Sequence, residues 1–262
     1  MNARRIYAVV QRHLYETRRN FDRWIDIIYW PILDILIWGF LTIYLSRSAD
    51  IGPNVRNFLL GGVILWGIFH TFMLHFTVGF LDELWARNLL NLFTSPLSIW
   101  EYITGLLVLN VFKIVAGFLV AALLALALYG FNIFNFSLAL LPYFLNLLLF
   151  GLALGFFVTA LIFRYSTKIQ ALAWSFAGAL SPVSAVFYPL STLPKFLQTI
   201  SWFLPTTHSF EGMRQVLAGG GFSTVHFGWG IGLNLAYLIL ATLFLNYIFE
   251  IARKRGLLVK ME

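Results

Sequence analysis

Cysteine is absent from all 262 residues, which removes disulfides and thiol-ligated metals from consideration. Charge is scarce as well: Asp, Glu, Lys and Arg make up 11% of the chain, against about 25% in ordinary soluble domains. Acidic side chains are the scarcer sign, 11 against 18 basic ones. The resulting +7 can suit nucleic acid, but the basic residues gather toward the chain ends, which fits membrane topology better, so no nucleic-acid partner is expected. No G-x-x-x-x-G-K-[ST] phosphate loop occurs, so the chain is not read as an ATP-hydrolysing enzyme, and Gly219-Gly220-Gly221 is a flexible connector. His70 and His75 lie five apart, which is not a same-face metal spacing, and no third ligand is evident. Neither a metal nor a catalytic residue is expected.

Apolar residues are what the chain has in abundance. They form 60% of it, mean hydropathy is +0.81, and nine Trp with eleven Tyr suffice for aromatic belts at both membrane interfaces. Six spanning segments are expected, at 27–45, 58–80, 99–128, 138–163, 169–188 and 227–249. With the N-terminus inside, thirteen of the eighteen Lys and Arg fall on the cytoplasmic side. Arg47, Arg56, Lys195 and Arg214 fall outside, and Lys113 lies within a span. This asymmetry places both termini in the cytoplasm.

The stretch 181–221 is too apolar for a solvated loop and too broken to span. Pro182, Pro189, Pro194 and Pro205 cut it, since proline lacks an N–H and clashes with the preceding turn. The two helical pieces between the breaks fall short of the about 20 residues a bilayer core requires. A segment that dips into the outer side of the membrane at 189–221 and returns is the expectation, because broken backbone survives at that depth only beside protein or a wet cavity. Phe187, Tyr188, Phe196, Trp202, Phe203 and Phe210 cluster there. His208, Glu211 and Arg214 follow one another at i, i+3 and i+6, and Glu211 and Arg214 are expected to bond each other or nearby backbone.

Residues 1–25 read as an interfacial helix and not as a cleavable signal. Ile6, Val9, Val10, Leu14, Thr17, Phe21 and Trp24 share one face, with Arg5, Arg12, Glu16, Arg19 and Arg23 on the other. It serves either as an anchor on the inner leaflet or also as a contact for a cytoplasmic partner. A second amphipathic helix is expected over 81–94, with Leu81, Leu84, Trp85, Leu89, Leu92 and Phe93 on one stripe. Asp82, Glu83, Arg87, Asn88 and Asn91 face away, and Ser95-Pro96 ends it. Periodicity leaves open whether it lies on lipid or fits a groove on a partner. Asp34 in the first span and Lys113 in the third are buried charges whose depths allow them to pair. Gly151-x-x-x-Gly155 permits close helix approach, within the chain more readily than between copies.

The texts DELWARNLLNLFTSPLSIWEYITGLL at 82–107 and FYPLSTLPKFLQTISWFLPTTHSFEGMRQVL at 187–217, in this order among six spans, resemble the ABC-2 type permease family. The likeness covers nearly the whole chain. One departure is Asn88-Leu89, where many members carry Gly-Thr. The resemblance implies a single all-α transmembrane domain over 1–262 that serves as the membrane subunit of an ATP-binding cassette exporter. It would be a homodimer with two copies of a separate ATPase, which would hold Mg-ATP, in a prokaryotic inner membrane. By the same resemblance, 81–94 is the coupling helix, 1–25 a gate helix, and 189–221 a pair of re-entrant helices at the outer mouth. A pathway at the dimer interface would be lined by parts of spans one, two and five. Aromatic rings at the mouth suit a glycan or lipid-linked cargo, or a small hydrophobic drug. Two other classes are an ion-coupled secondary transporter and an intramembrane enzyme built on Ser175 or Ser181 with His70 or His75. The former lacks a second broken segment in the first half of the chain.

Overall fold

A computed structural model describes residues 1–48 and 53–255, and Lys260 of the basic C-terminal end lies outside them. All regular structure among the described residues is helical. An N-terminal helix α1 (Ala3–Arg19) is followed by one turn, α2 (Phe21–Trp24), a π-helical turn (Ile25–Tyr29) and α3 (Trp30–Ser48). Then come α4 (Pro53–Trp85), α5 (Leu89–Thr94), α6 (Ile99–Tyr129) and α7 (Ser137–Tyr165). The remainder is α8 (Leu172–Leu180), α9 (Lys195–Trp202), α10 (Pro205–Leu217) and α11 (Thr224–Lys254).

Among the described residues, five helices are long and apolar enough to cross a membrane: Ile27–Arg47, Val55–Trp85, Ile99–Tyr129, Leu138–Ile169 and Thr224–Lys254. They match five of the six expected spans. The stretch expected as the fifth, 169–188, differs. Its one α-helix, α8, has nine residues, about 14 Å at 1.5 Å per residue, against a hydrocarbon core of about 30 Å. Single 3₁₀ turns at Ser166–Ile169 and Ser181–Val183 flank it, the second holding Pro182.

The second expectation to be corrected is the continuous helix at 81–94. Residues Leu81 to Trp85 are instead the last turn of α4, and the chain breaks before α5. The break is a Schellman cap. Asn88 N–H donates to Glu83 O at 2.9 Å, Arg87 N–H donates to Leu84 O at 3.0 Å, and Arg87 takes φ +52° where glycine is the usual occupant. Because of it, the apolar stripe turns inward. Leu81, Leu84 and Leu89 are buried, and Phe93 meets Phe249 edge-on at 4.9 Å.

Helices α4 and α7 form the centre of the bundle. Gly151 and Gly155 of α7 lie against Phe72 and Phe76 of α4, so this small-residue pair serves packing inside the chain. Gly105 of α6 receives α1, its Cβ position 2.6 Å from Val9 Cγ1. Pro31 has no N–H for the carbonyl of Ile27, and Gly117 of α6 packs against that carbonyl, its Cβ position 3.2 Å away. Capping follows local chemistry: Ser98 and Glu101 form a capping box on α6, and Gly130 closes the helix with φ +66°.

α10 is buried along most of its length against α4, α7 and α11. Gly212 allows this, since a Cβ there would stand 2.2 Å from Tyr143 Cε1. The ring cannot swing aside easily: Tyr143 OH donates to Ser223 O at 3.0 Å and accepts from Ser223 N at 3.0 Å. Gly212→Ala is therefore expected to destabilise the protein by about 1–3 kcal/mol, the usual cost of overpacking. Gly228→Ala, where nothing lies within 4 Å, is expected to be neutral or slightly stabilising. Thermal unfolding of the two variants in one detergent checks the contrast.

Candidate functional site

Where the last turn of α4 meets α1 and α6, a carboxylate nearly cut off from water joins four parts of the chain. Glu83, 1% exposed, accepts from Arg12 Nη2 of α1 at 2.9 Å and from Asn88 Nδ2 of the break at 2.8 Å. It also accepts from Tyr102 OH of α6 at 3.4 Å. That hydroxyl lies 2.9 Å from Gly79 O and 3.2 Å from His13 Nε2. Beside this hub, Arg23 ion-pairs with Asp82, and Glu101 accepts from Asn2 N–H at 2.7 Å while facing Arg5 at 3.5 Å. The Glu16 carboxyl is held below the usual carboxylate range by the hydrogen bond from His13, 3.1 Å away, against the opposing effect of burial and with help from Arg12.

The basic face of residues 1–25 is thus spent largely on acids of this chain. Val9, His13 and Thr17, at i, i+4 and i+8, bury against the bundle, while Tyr7, Leu14, Tyr15 and Phe21 stay exposed. Of the residues expected on the coupling helix, Leu81, Glu83 and Leu84 are buried, and Asp82 and Asn88 are half-buried. Trp85 and Arg87 are exposed at the tip, with Asn91, Thr94, Ser95 and Pro96 nearby along the chain. Trp85 Nε1 donates to Gln170 at 3.0 Å, and its ring stacks on Trp174 with centroids 6.2 Å apart.

At the opposite end, Arg214 and Glu211 pin the broken segment. They ion-pair with each other, as expected, and each also binds backbone. Arg214 Nη2 donates to Ala185 O at 3.0 Å and Tyr188 O at 2.8 Å, and Glu211 accepts from Leu190 N–H at 2.7 Å. The guanidinium carbon sits 3.9 Å from the Phe58 ring centroid. His208 is buried and lies 2.8 Å from Trp202 O. Phe187 stacks on Trp38 at 4.1 Å, and the Tyr188 hydroxyl donates to Pro182 O. Phe196, Trp202 and Phe203 are exposed. The residues expected at the mouth therefore do not form one cluster: the charged pair is structural, Phe210 is buried, Trp202 packs edge-on against His208 at 4.9 Å, and Phe196 and Phe203 are exposed.

Between the two ends lies a cavity of about 570 Å³, within the size range of small-molecule sites. Its walls come from α3 (Trp30, Asp34, Trp38), α4 (Val63, Trp66, His70, His75), α6 (Ile114, Phe118) and α8 (Trp174, Gly178), with Phe187 above. It is thus a cavity inside one chain, walled by the first, second and third spans and the short α8. Asp34 and Lys113 do not share it. Lys113 lines a smaller cavity of about 20 Å³ with Glu16, Arg23, Asp82 and His75, and has contacts of its own. Among the described residues no group of three or more His, Cys, Asp or Glu is placed to hold a metal.

Trp30, Trp66, Trp174, Tyr102 and Glu101 were not singled out from sequence. Glu101 carried a readable signal, the S-x-x-E box before an apolar run. Trp30-Asp34-Trp38 carried another, a spacing of four that puts all three on one helical face.

No curated protein matches the chain. The family profile described as ABC-2 family transporter protein matches residues 41–249, from the last turns of α3 into α11. The match takes in the α4, α6 and α8 walls of the cavity, the capped break and the pinned broken segment, while the α3 wall at Trp30, Asp34 and Trp38 precedes it. The chain belongs to the ABC-2 family of transporter proteins.

Proposed function

We propose that the chain is the membrane subunit of an ATP-driven exporter, acting as a homodimer on two copies of a separate cassette ATPase that holds Mg-ATP. The observation that carries this reading is the continuity of α4. One uninterrupted helix runs from the exposed tip at Trp85 to the cavity wall at His75, His70 and Trp66. Glu83 and His75 are eight residues apart, about 12 Å of helix. A partner pressing on Trp85 and Arg87 therefore moves the cavity wall directly, and Glu83 carries the same motion into α1 and α6. Rigid-body shifts of packed elements between discrete arrangements are how such inputs become alternating access.

The reading corrects which residues touch the ATPase. Trp85 and Arg87 remain in that role, while Leu81, Leu84 and Glu83 act by holding the tip in place. The proposed setting is a prokaryotic inner membrane with both termini cytoplasmic, the outer segment at 189–221 narrowing the pathway and the cavity receiving the cargo. The proposed direction, outward, rests on the resemblance to exporter permeases.

Because the native chain has no cysteine, single-cysteine variants need no background removal. Cysteines at Arg87 and at Phe196 are expected to react with a membrane-impermeant maleimide from opposite sides of sealed vesicles. Reaction from the same side overturns the topology. Co-purification with the cassette ATPase in nanodiscs is expected to give a two-plus-two complex. In it, Trp85→Ala with Arg87→Ala lowers ATP turnover several-fold or uncouples it from transport. A monomer that binds no ATPase overturns the exporter reading in favour of ion-driven transport.

Glu83→Gln tests the hub. It removes the charge opposite Arg12 but keeps a side chain that can accept one hydrogen bond. A loss of about 1–3 kcal/mol is expected, moderated because the Arg12 side chain is 38% exposed and can rehydrate. Thermal unfolding measures it, and limited proteolysis within residues 1–20 is expected to accelerate in the same variant.

A further inference from the structure

From the chemistry of the cavity wall we infer that this site takes a hydrophobic organic cation. The inference rests on the permease reading above and names the cargo class for it. Trp30, Asp34 and Trp38 stand at i, i+4 and i+8 on α3, so one carboxylate sits on a helical stripe between two indoles, each about 6 Å away along the axis. Trp66 of α4 and Trp174 of α8 line the same space, and Phe118, Phe187, His70 and His75 add further rings. Indole is the strongest cation–π partner among side chains, effective within about 6 Å of the ring centroid.

The charge balance favours the same class. Among the described residues Asp34 is the one acidic residue on the wall, and no Lys or Arg lines it. No ion pair among the described residues includes Asp34. A lone carboxylate at membrane depth is costly and faces water, a partner or a pathway. The smaller cavity beyond His75 mixes signs, Glu16 and Asp82 with Arg23 and Lys113, and so offers no net positive charge to oppose a cation. An anionic cargo would meet Asp34 with nothing to compensate it. A neutral cargo would leave the carboxylate unanswered.

The test uses two near-isosteric probes of opposite charge, tetraphenylphosphonium and tetraphenylborate, on the full chain in nanodiscs, with empty nanodiscs subtracted. Saturable tetraphenylphosphonium binding is expected, read by quenching of indole fluorescence and by equilibrium dialysis. Asp34→Asn is expected to weaken it at least tenfold, and Asp34→Glu to retain most of it. Trp30→Leu, which removes a ring 53% exposed in the protein, gives an arm that leaves the packing in place. Its expected effect is about fivefold, the scale of one cation–π contact. Tetraphenylborate binding as tight as that of the cation overturns the inference, as does indifference of the cation to both Asp34→Asn and Trp30→Leu. Binding here needs no ATPase, so the two readings fail separately. A cation site without ATPase association overturns the exporter, and an ATPase complex without cation binding overturns the cargo class.

Discussion

Glu83 is the carboxylate on which the half of the bundle around α1 and the end of α4 depends. An ionised group with 1% exposure is tolerable only when its charge and lone pairs are met, and here α1, α6 and the cap after α4 each supply a donor or facing ring. The consequence is geometric. Arg12 can reach Glu83 only if α1 lies across α6 at Gly105, and Asn88 can reach it only if the chain turns back at Arg87. The acid therefore sets both the seat of the N-terminal helix and the shape of the tip. The surrounding apolar cluster, Leu81, Leu84, Phe80 and Phe163 among it, supplies the dry environment in which these hydrogen bonds count.

The opposite half, around the broken segment, answers the same constraint differently. Four prolines free backbone groups that lipid cannot satisfy, so each must be met from within the protein. Arg214 meets two carbonyls, Glu211 meets an N–H, and Gln198 Nε2 meets Leu193 O at 2.7 Å. Small polar contacts finish the seat of α10: Asn146 donates to Ser209 Oγ at 3.2 Å, and Thr206 to Ser184 Oγ at 2.9 Å. A charged pair expected at an outer mouth thus serves as backbone support, while Phe196 and Phe203 stay exposed.

Legibility in the sequence followed the range of the interactions. Proline positions, span lengths and the Glu211–Arg214 spacing are local, and they gave five of the spans and the broken segment. The role of Gly151 and Gly155 was readable for the same reason, since small residues four apart invite close packing wherever they fall. The break after Trp85 was not readable, because Ala86-Arg87-Asn88 holds neither Gly nor Pro and an arginine in the left-handed region has no sequence mark. Nor could spacing place Arg12 on Glu83 across 71 residues, or bring Trp66 and Trp174 beside Trp38. The short α8 misled through its hydropathy: 169–188 is apolar enough for a span, and only the 3₁₀ turns at either side show that the helix stops early.

These two ends meet at the cavity, and their arrangement suggests how it would change shape. One wall, Trp66 to His75, is the upper continuation of the helix whose last turn carries Glu83. The facing wall, Trp30 to Trp38, follows a π turn and holds Pro31 in its first turn, and the segment before it is tied to the same helix end by Arg23 and Asp82. A π turn next to proline is a place where a helix yields more easily than along its regular length. On the proposed reading, a displacement of the tip therefore moves the α4 wall as a rigid piece, while the α3 wall is drawn along through a bendable joint. The distance between Asp34 and the rings of α4 then changes with the state of the tip. That is the differential contact a transporter must have, since a ligand held equally in both states would be moved by neither.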